Sequence, residues 1–249
     1  FGTHSHVLLY MTEYANATGN QELLDYCRKS FEWGIHRNST IEGQCETATR
    51  MGFFLEYLLP YYGTAEQCSV ADMVAIALRL TEYEAGDYWD YLDKWVRNHF
   101  SENQFVAEEW VQKISTYKTD GVETPMRTTV NVPQRNFGTF FGWPSANSGF
   151  PEGRGHMHCC MGNATRALYY VWQGMMQHQD GNLRVNLLLN RASPWADLNS
   201  YIPYTGRVDL KIKKPLKEVV LRIPDWIEDG NRNVRCTVND NLTELKWDG

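Results

Sequence analysis

Residues 180–187 read Asp-Gly-Asn-Leu-Arg-Val-Asn-Leu, and the pattern of this 249-residue chain changes there. Before Gly181, apolar residues recur at intervals of three and four, as in Val70, Met73 and Val74, which is typical of amphipathic helices. After Asn182 the apolar runs are short and alternate with polar residues, which is typical of strands. The sequence therefore predicts a helical domain over 1–181 and a β domain over 182–249.

Breakers and apolar spacing give the bounds of the predicted elements. A stretch rich in glycine and proline, 101–157, has no sustained period and is predicted to be a long irregular loop, a kind of segment that often carries function. The predicted helices are 7–18, 21–35, 46–62, 68–84, 87–100 and 163–177, and the predicted strands are 183–189, 208–212, 219–223 and 234–238.

The order of these elements predicts a mainly α fold, an (α/α)6 toroid followed by a β-sandwich domain. A closed double ring needs more helices than the sequence predicts, and the chain ends soon after the last predicted strand. Both domains are therefore expected to be incomplete, with only the C-terminal half of the toroid present.

Composition and charge exclude several classes of partner. The chain has 24 basic and 30 acidic residues, a net charge of −6, and no basic block, so neither nucleic acid nor an anionic membrane is expected as a partner. No apolar run reaches the length of about 18 residues that a membrane helix needs. The six cysteines are irregularly spaced, which does not indicate a disulfide framework and favours a cytoplasmic compartment, with a periplasmic one left open.

Two adjacent cysteines, Cys159 and Cys160, point to a metal site. With Glu66 and Cys68 they supply three thiols and one carboxylate, a set that binds zinc tetrahedrally. Both pairs stand just ahead of, or at, a predicted helix start. The alternative is that these are ordinary buried thiols. His158 is a further candidate ligand, but in an extended chain it would face away from Cys159, and it is expected to hydrogen-bond around the site instead.

Five motifs in order resemble glycoside hydrolase family 127. Their order along the chain is the same as in the family, and together they span nearly its whole length. They are Glu66-x-Cys68, the motif Tyr88-x-Asp90-x-x-Asp93-Lys94-x-x-x-Asn98, the segment 158–166, the segment 180–187, and Leu221-Arg-Ile-Pro-x-Trp226.

The resemblance implies an (α/α)6 barrel with a β-sandwich and a zinc ion held by Glu66, Cys68, Cys159 and Cys160. It implies a retaining exo-glycosidase that hydrolyses β-L-arabinofuranosides or a related plant sugar residue. Cys159 would be the nucleophile, and the substrate would be an oligosaccharide or another glycoside. Nothing in the sequence indicates an oligomeric state.

The acid/base residue departs from the family pattern. The family has a Glu at the position that corresponds to Met51, and methionine cannot transfer a proton. Glu46 and Glu56 lie five residues away on either side. Glu46 is preferred because it follows Gly43 near a predicted helix start, whereas Glu56 lies in mid-helix. Either could instead be a solvated carboxylate on a helix face.

Several residues are candidates for substrate binding. His4 or His6 matches a family His that touches substrate, and Asp93 matches a Glu that binds sugar hydroxyls. His158 is grouped with them because it flanks the cysteine pair. Trp143, in an aromatic loop over 137–143, is a candidate for stacking against a sugar ring.

Two other functions are compatible with the same residues. The helical toroid also hosts uronyl hydrolases and lyases, which do not use thiols, and Met51 makes a different reaction or sugar credible. Alternatively, the protein binds glycans without turnover and keeps zinc for stability. A shared fold does not decide between them.

Overall fold

The structure is a computed structural model that describes residues 2–37, 66–106, 130–142, 158–228 and 233–247. It divides into two compact units, Phe1–Val171 and Trp172–Gly249. The predicted helix over 46–62 lies outside the described residues. No helix of the described residues is long and apolar enough to cross a membrane.

Six α-helices are described, and the last of them runs through the boundary between the units. They are α1 (Gly2–Thr18), α2 (Gln21–Arg37), α3 (Gln67–Glu82), α4 (Trp89–Trp95), α5 (Val132–Asn136) and α6 (His158–Gly174). α2 and α3 match the predicted helices within two residues at each end, whereas α1 begins five residues earlier than predicted. The predicted bounds of the last helix, 163–177, are wrong, because α6 already begins at His158 and Met176–Gln179 form a strand.

The central helix of the first unit is α3. Thirteen of its residues are buried, among them Met73, Ile76 and Leu80, and α1, α2 and α4 all pack against it. A helix that is apolar around most of its circumference belongs in a core, because every face needs a partner. Its ties to α1 include an ion pair of 2.7 Å between Arg79 Nε and Glu13 Oε1.

The region predicted as one long loop contains ordered elements where it is described. α4 continues as a π-helical turn, Val96–Phe100, within the predicted helix 87–100. Inside the predicted loop lie a 3-10 turn, Ser101–Asn103, and the short helix α5. Phe140 and Phe141 are buried, and the ring centroids of Phe140 and Phe100 lie 4.9 Å apart. These two aromatics belong to the core of the unit.

The described part of the second unit contains eight short strands. They are β1 (Met176–Gln179), β2 (Asn182–Val185), β3 (Arg191–Ala192), β4 (Ala196–Ser200), β5 (Val208–Ile212), β6 (Glu218–Leu221), β7 (Cys236–Val238) and β8 (Asn241–Thr243). Their orders are β1-β2-β6, β3-β4-β5 and β7-β8. All pairs are antiparallel except β2 and β6, which are parallel.

Asp180 and Gly181 form the turn between β1 and β2. Both have positive φ angles, 53° and 88°, and Gln179 pairs directly with Asn182. A two-residue turn with two positive φ angles matches the twist of a hairpin, which is why Asp-Gly is favoured there. The change of pattern at 180–187 is therefore a hairpin.

The predicted order of helices followed by strands is confirmed for the described residues. Their content is mixed, about half helix with several small sheets, and their helices do not close a ring. The toroid, the sandwich and the assignment of 1–181 and 182–249 as two domains stay predictions.

Candidate metal centre

Four side chains bring their ligand atoms together in the first unit. The donor atoms of Glu66, Cys68, Cys159 and Cys160 all lie within 4.8 Å of one another. Sγ of Cys68 and Sγ of Cys160 are 3.5 Å apart, and those of Cys159 and Cys160 are 3.9 Å apart. The residues that the sequence selected as ligands therefore form one cluster, from two segments about ninety positions apart.

The first two residues of the cluster are placed by the start of α3. Glu66 is the N-cap residue in an extended conformation, and its side chain makes no capping hydrogen bond to the helix. Between it and Cys68, the backbone N–H of Gln67 donates to Gly142 O at 2.9 Å. The side chain of Asn103 donates to Gln67 Oε1 at 2.6 Å. These bonds fix the first turn of α3 and hence the direction of both donors.

The other two residues lie in the first turn of α6. Successive side chains of a helix point about 100° apart, so neighbours can differ in environment. Cys160 is fully buried, whereas Cys159 is exposed. His158 is also helical and exposed, so the expectation based on an extended chain there is wrong, and His158 is not part of the four-residue cluster.

The buried thiols perturb each other. The hydrogen bond between Cys68 and Cys160 lowers the pKa of Cys68 to about 7, against the opposing effects of burial and of the Glu66 charge. The Cys68 thiolate and burial together raise the pKa of Cys160 well above its usual range. A cation at the centre of the cluster would relieve the repulsion between these sulfurs.

The spacing of the donors fits a single metal ion. With metal–sulfur bonds of about 2.3 Å in tetrahedral geometry, two sulfurs lie about 3.8 Å apart. The two sulfur distances in the cluster, 3.5 and 3.9 Å, lie on either side of that value. Glu66, Cys68, Cys159 and Cys160 can therefore hold a metal ion without rearrangement of the helices.

Comparison with known proteins assigns no family to this chain. No family model matches it, and no curated protein matches it. The resemblance to glycoside hydrolase family 127 therefore stays a proposal that depends on the motifs.

The other predicted site residues are placed differently from one another. Asp93 is fully buried on α4, where Arg97 Nε donates to its Oδ1 at 2.9 Å, and its role in sugar binding stays a prediction. His4 is exposed on α1. Outside the described residues lie Glu46, Met51, Glu56, Trp143 and His156.

A second polar cluster, which the sequence did not reveal, surrounds Asp72 of α3. Its carboxylate is fully buried and accepts hydrogen bonds from Ser5 Oγ at 3.0 Å and from Arg166 Nη2 at 2.7 Å. Nδ1 of His6 contacts the same carboxylate. Asp72 is thus the point at which α1, α3 and α6 meet through polar groups.

The signal for this cluster was the position of Asp72. It stands on an otherwise apolar helix, four residues after Cys68 and therefore on the same face. Burial raises the pKa of Asp72, although His6, Ser5 and Arg166 each oppose that effect. A carboxylate in such a place needs partners, because an unpaired buried charge is very costly.

Proposed function

We propose that this protein is a zinc-dependent retaining exo-glycosidase of the family 127 kind, with Cys159 as its nucleophile. Its substrates would be β-L-arabinofuranosides or related plant sugar residues, in an oligosaccharide or another glycoside. The observation that carries the proposal is the asymmetry of the cluster, in which Cys68 and Cys160 are buried and Cys159 is exposed. A purely structural site would be closed on all sides.

Zinc is the metal that suits this set of donors. Three thiolates select a soft or borderline cation, and a tetrahedral set of sulfur and oxygen donors is typical of zinc. Calcium and magnesium prefer sets made entirely of oxygen. Bound zinc would keep the thiols deprotonated at neutral pH, which is the form that attacks carbon.

The chemistry of Cys159 follows from double displacement. Its sulfur attacks the anomeric carbon, the glycosidic oxygen departs with the bonding electrons, and a glycosyl thioether forms. Water then displaces the sulfur from the same carbon, and two inversions give net retention. An accessible sulfur is needed in both steps, and Cys159 meets that need because its side chain is exposed.

The finer features of the fold belong to the same proposal. The packing of α1 against α2 and their contact with α3 are compatible with part of an (α/α)6 toroid. The small sheets of the second unit are compatible with part of a β-sandwich. Among the predicted acid/base residues, Glu46 remains preferred over Glu56.

The test is hydrolysis of aryl β-L-arabinofuranosides by Cys159→Ala. We expect the wild type to cleave and the variant to lose at least about 10³-fold in kcat. Cys236→Ala, on β7 in the other unit, is the matched control and should be unaffected. Denaturation during turnover, followed by mass spectrometry, should find the wild-type peptide that contains Cys159 heavier by one glycosyl group.

Three results would refute the proposed function, each in a different way. Full activity of Cys159→Ala on a substrate that the wild type cleaves would show that Cys159 is not the nucleophile. Activity that survives complete removal of metal would favour a thiol-independent reaction, such as that of a uronyl hydrolase or lyase. Binding of glycans without any turnover would identify a non-catalytic protein.

A further inference from the structure

His6 and Asp72 form a pair with a defined orientation. Asp72 Oδ2 contacts Nδ1 of His6, so the ring is held through that nitrogen, and the opposite nitrogen, Nε2, is directed away from Asp72. No described residue hydrogen-bonds to Nε2. The His6 side chain is 39% exposed and Asp72 is fully buried, so the carboxylate is shielded while the ring can reach solvent or a ligand.

The carboxylate itself is held in place by two other groups. Ser5 Oγ donates to the same oxygen that His6 contacts, and Arg166 Nη2 donates to the other oxygen. With both oxygens engaged, Asp72 cannot rotate without losing a partner. It can therefore hold the imidazole in a single tautomer and a single orientation.

The His6–Asp72 pair lies beside the contact between α3 and α6, which also contains the metal centre. Asp72 is one turn after Cys68 on α3, an axial rise of about 6 Å. Its partner Arg166 is two turns after Cys159 on α6, on the same side of that helix. Cys68 and Cys160 join α3 to α6 at one level, and Asp72 and Arg166 join them again one turn further along.

We propose that His6 is the proton carrier of this site, acting through Nε2, and that Asp72 is its positioning residue. The proposal rests on the proposed function, since it names the group that protonates the leaving oxygen. It uses a residue on α1 in place of the carboxylate that the family pattern would put at Met51. Nothing in the pattern of the sequence alone pairs His6 with Asp72, which are 66 positions apart.

The proton balance of the two steps is complete with His6. In the first step, Cys159 Sγ forms a bond to the anomeric carbon as the glycosidic C–O bond breaks. The leaving oxygen keeps the bonding electrons and takes the proton from Nε2 of the His6 imidazolium. In the second step, neutral His6 takes a proton from water, whose oxygen bonds to the anomeric carbon as the C–S bond breaks and its electrons return to sulfur.

Among the described residues, Asp72 contacts the His6 ring and Arg166 contacts Asp72. Asp72, in direct contact, stabilises the imidazolium that the first step requires. Arg166 forms an ion pair with Asp72, and its positive charge opposes the effect of the carboxylate on the imidazolium. Two opposite charges therefore lie next to the group that first donates and then accepts a proton.

The test measures the dependence on the leaving group in His6→Gln. Removal of a proton donor slows hydrolysis of substrates with basic leaving groups, by about 10²-fold or more, and spares activated dinitrophenyl glycosides in the first step. Azide, which needs no base, should then restore turnover of the activated substrate and yield a glycosyl azide with retained configuration. Asp72→Asn should show the same pattern more weakly.

Matched variants separate this proposal from the alternatives. Glu46→Gln and Glu56→Gln are assayed in parallel with the same substrates and azide. The proposal is overturned if either one shows azide rescue while His6→Gln behaves as the wild type. Metal content, measured for every variant, reports folding of the site.

A structural role for His6 would give a different result. If His6→Gln and His6→Ala both lose bound metal, and imidazole does not restore His6→Ala, His6 stabilises the fold and the proposal is wrong. A wild type without glycosidase activity would refute the proposed function itself. An active wild type with unaffected His6 variants would refute only the role of His6.

Discussion

Adjacent cysteines occupy different environments in this protein because a helix turns about 100° between neighbours. The first turn of α6 directs Cys160 into the core and leaves Cys159 exposed. An extended chain would also separate two neighbours, but it would place them on opposite faces, where they could not share a metal with Cys68. The helical conformation therefore allows one residue to serve as ligand and attacking group while the next serves only as ligand.

His99 gives a prediction about pH. It lies on the π-helical turn and is fully buried, and burial lowers its pKa to about 4. The unfolded chain takes up a proton near pH 6.5 and the folded chain does not, so folding becomes less favourable as pH falls from about 6.5 to 4. The contribution of His99 to this loss is about 3 kcal/mol at pH 4.

Replacement of His99 by glutamine should remove that contribution. Urea unfolding at a series of pH values would measure it, with the wild type and His99→Gln both free of metal, so that acid release of zinc does not contribute. The stability difference between the two proteins should narrow or change sign as the pH falls. If the unfolding free energies of the two proteins change in parallel from pH 7 to pH 4, His99 is protonated in the folded state as well, and the prediction is wrong.

At the scale of the helix, α3 should be the most sensitive element to loss of volume. Leu80 of α3 is fully buried, whereas Leu168 of α6 is 43% exposed. Leu80→Ala should cost about 2–5 kcal/mol of unfolding free energy, because it leaves a cavity. Leu168→Ala makes the same chemical change and should cost less than about 1 kcal/mol.

Chemical unfolding of both leucine variants would measure these differences. Equal costs would contradict the central position of α3. Circular dichroism at low denaturant would confirm that each variant begins from the same helical content.

The elements that the sequence predicted well are those with a sustained period. α2 and α3 were predicted within two residues at each end, because their apolar positions repeat over four turns or more. α1 was predicted to start five residues too late. The start of α6 was predicted too late, since Gly162 and Asn163 resemble a helix boundary. Burial of Cys160 against α3 outweighs that local preference.

Short strands were harder to predict for a different reason. β1 is mostly polar and β3 has two residues, so neither shows a period that can be recognised. The Asp180-Gly181 pair was interpreted as a break between domains, although it is also a strong hairpin signal. The partner of a strand is a property of the fold, and β6 pairs with β2 across more than thirty residues.

The candidate site was predictable only in part. Ligand chemistry and the ordered motifs selected the four residues that cluster. Asp72 was missed because a single acidic residue on a helix is usually solvated, and only the packing of α1 and α6 reveals that it is buried. The partners of Asp72 lie on α1 and α6, so the spacing of residues along α3 cannot reveal them.

At the scale of the whole molecule, the metal centre lies entirely within one of the two compact units. It joins the start of α3 to the start of α6, and these segments are also joined by Asp72 and Arg166. A ligand that binds only the folded state stabilises it in proportion to its concentration relative to its dissociation constant. Zinc should therefore act as a cross-link between distant parts of the first unit.

Metal removal should destabilise the first unit selectively. At a thousandfold excess over the dissociation constant, bound metal contributes about 4 kcal/mol, which corresponds to a fall of roughly 10 °C in Tm on chelation. Hydrogen exchange should then quicken in Gln67–Glu82 and in the first turns of His158–Gly174, while Val208–Ile212 in the other unit keeps its protection. Cys68→Ser should reproduce the effect without chelator, whereas Cys236→Ser should not. Equal loss of protection in both units would show that the metal supports the molecule as a whole.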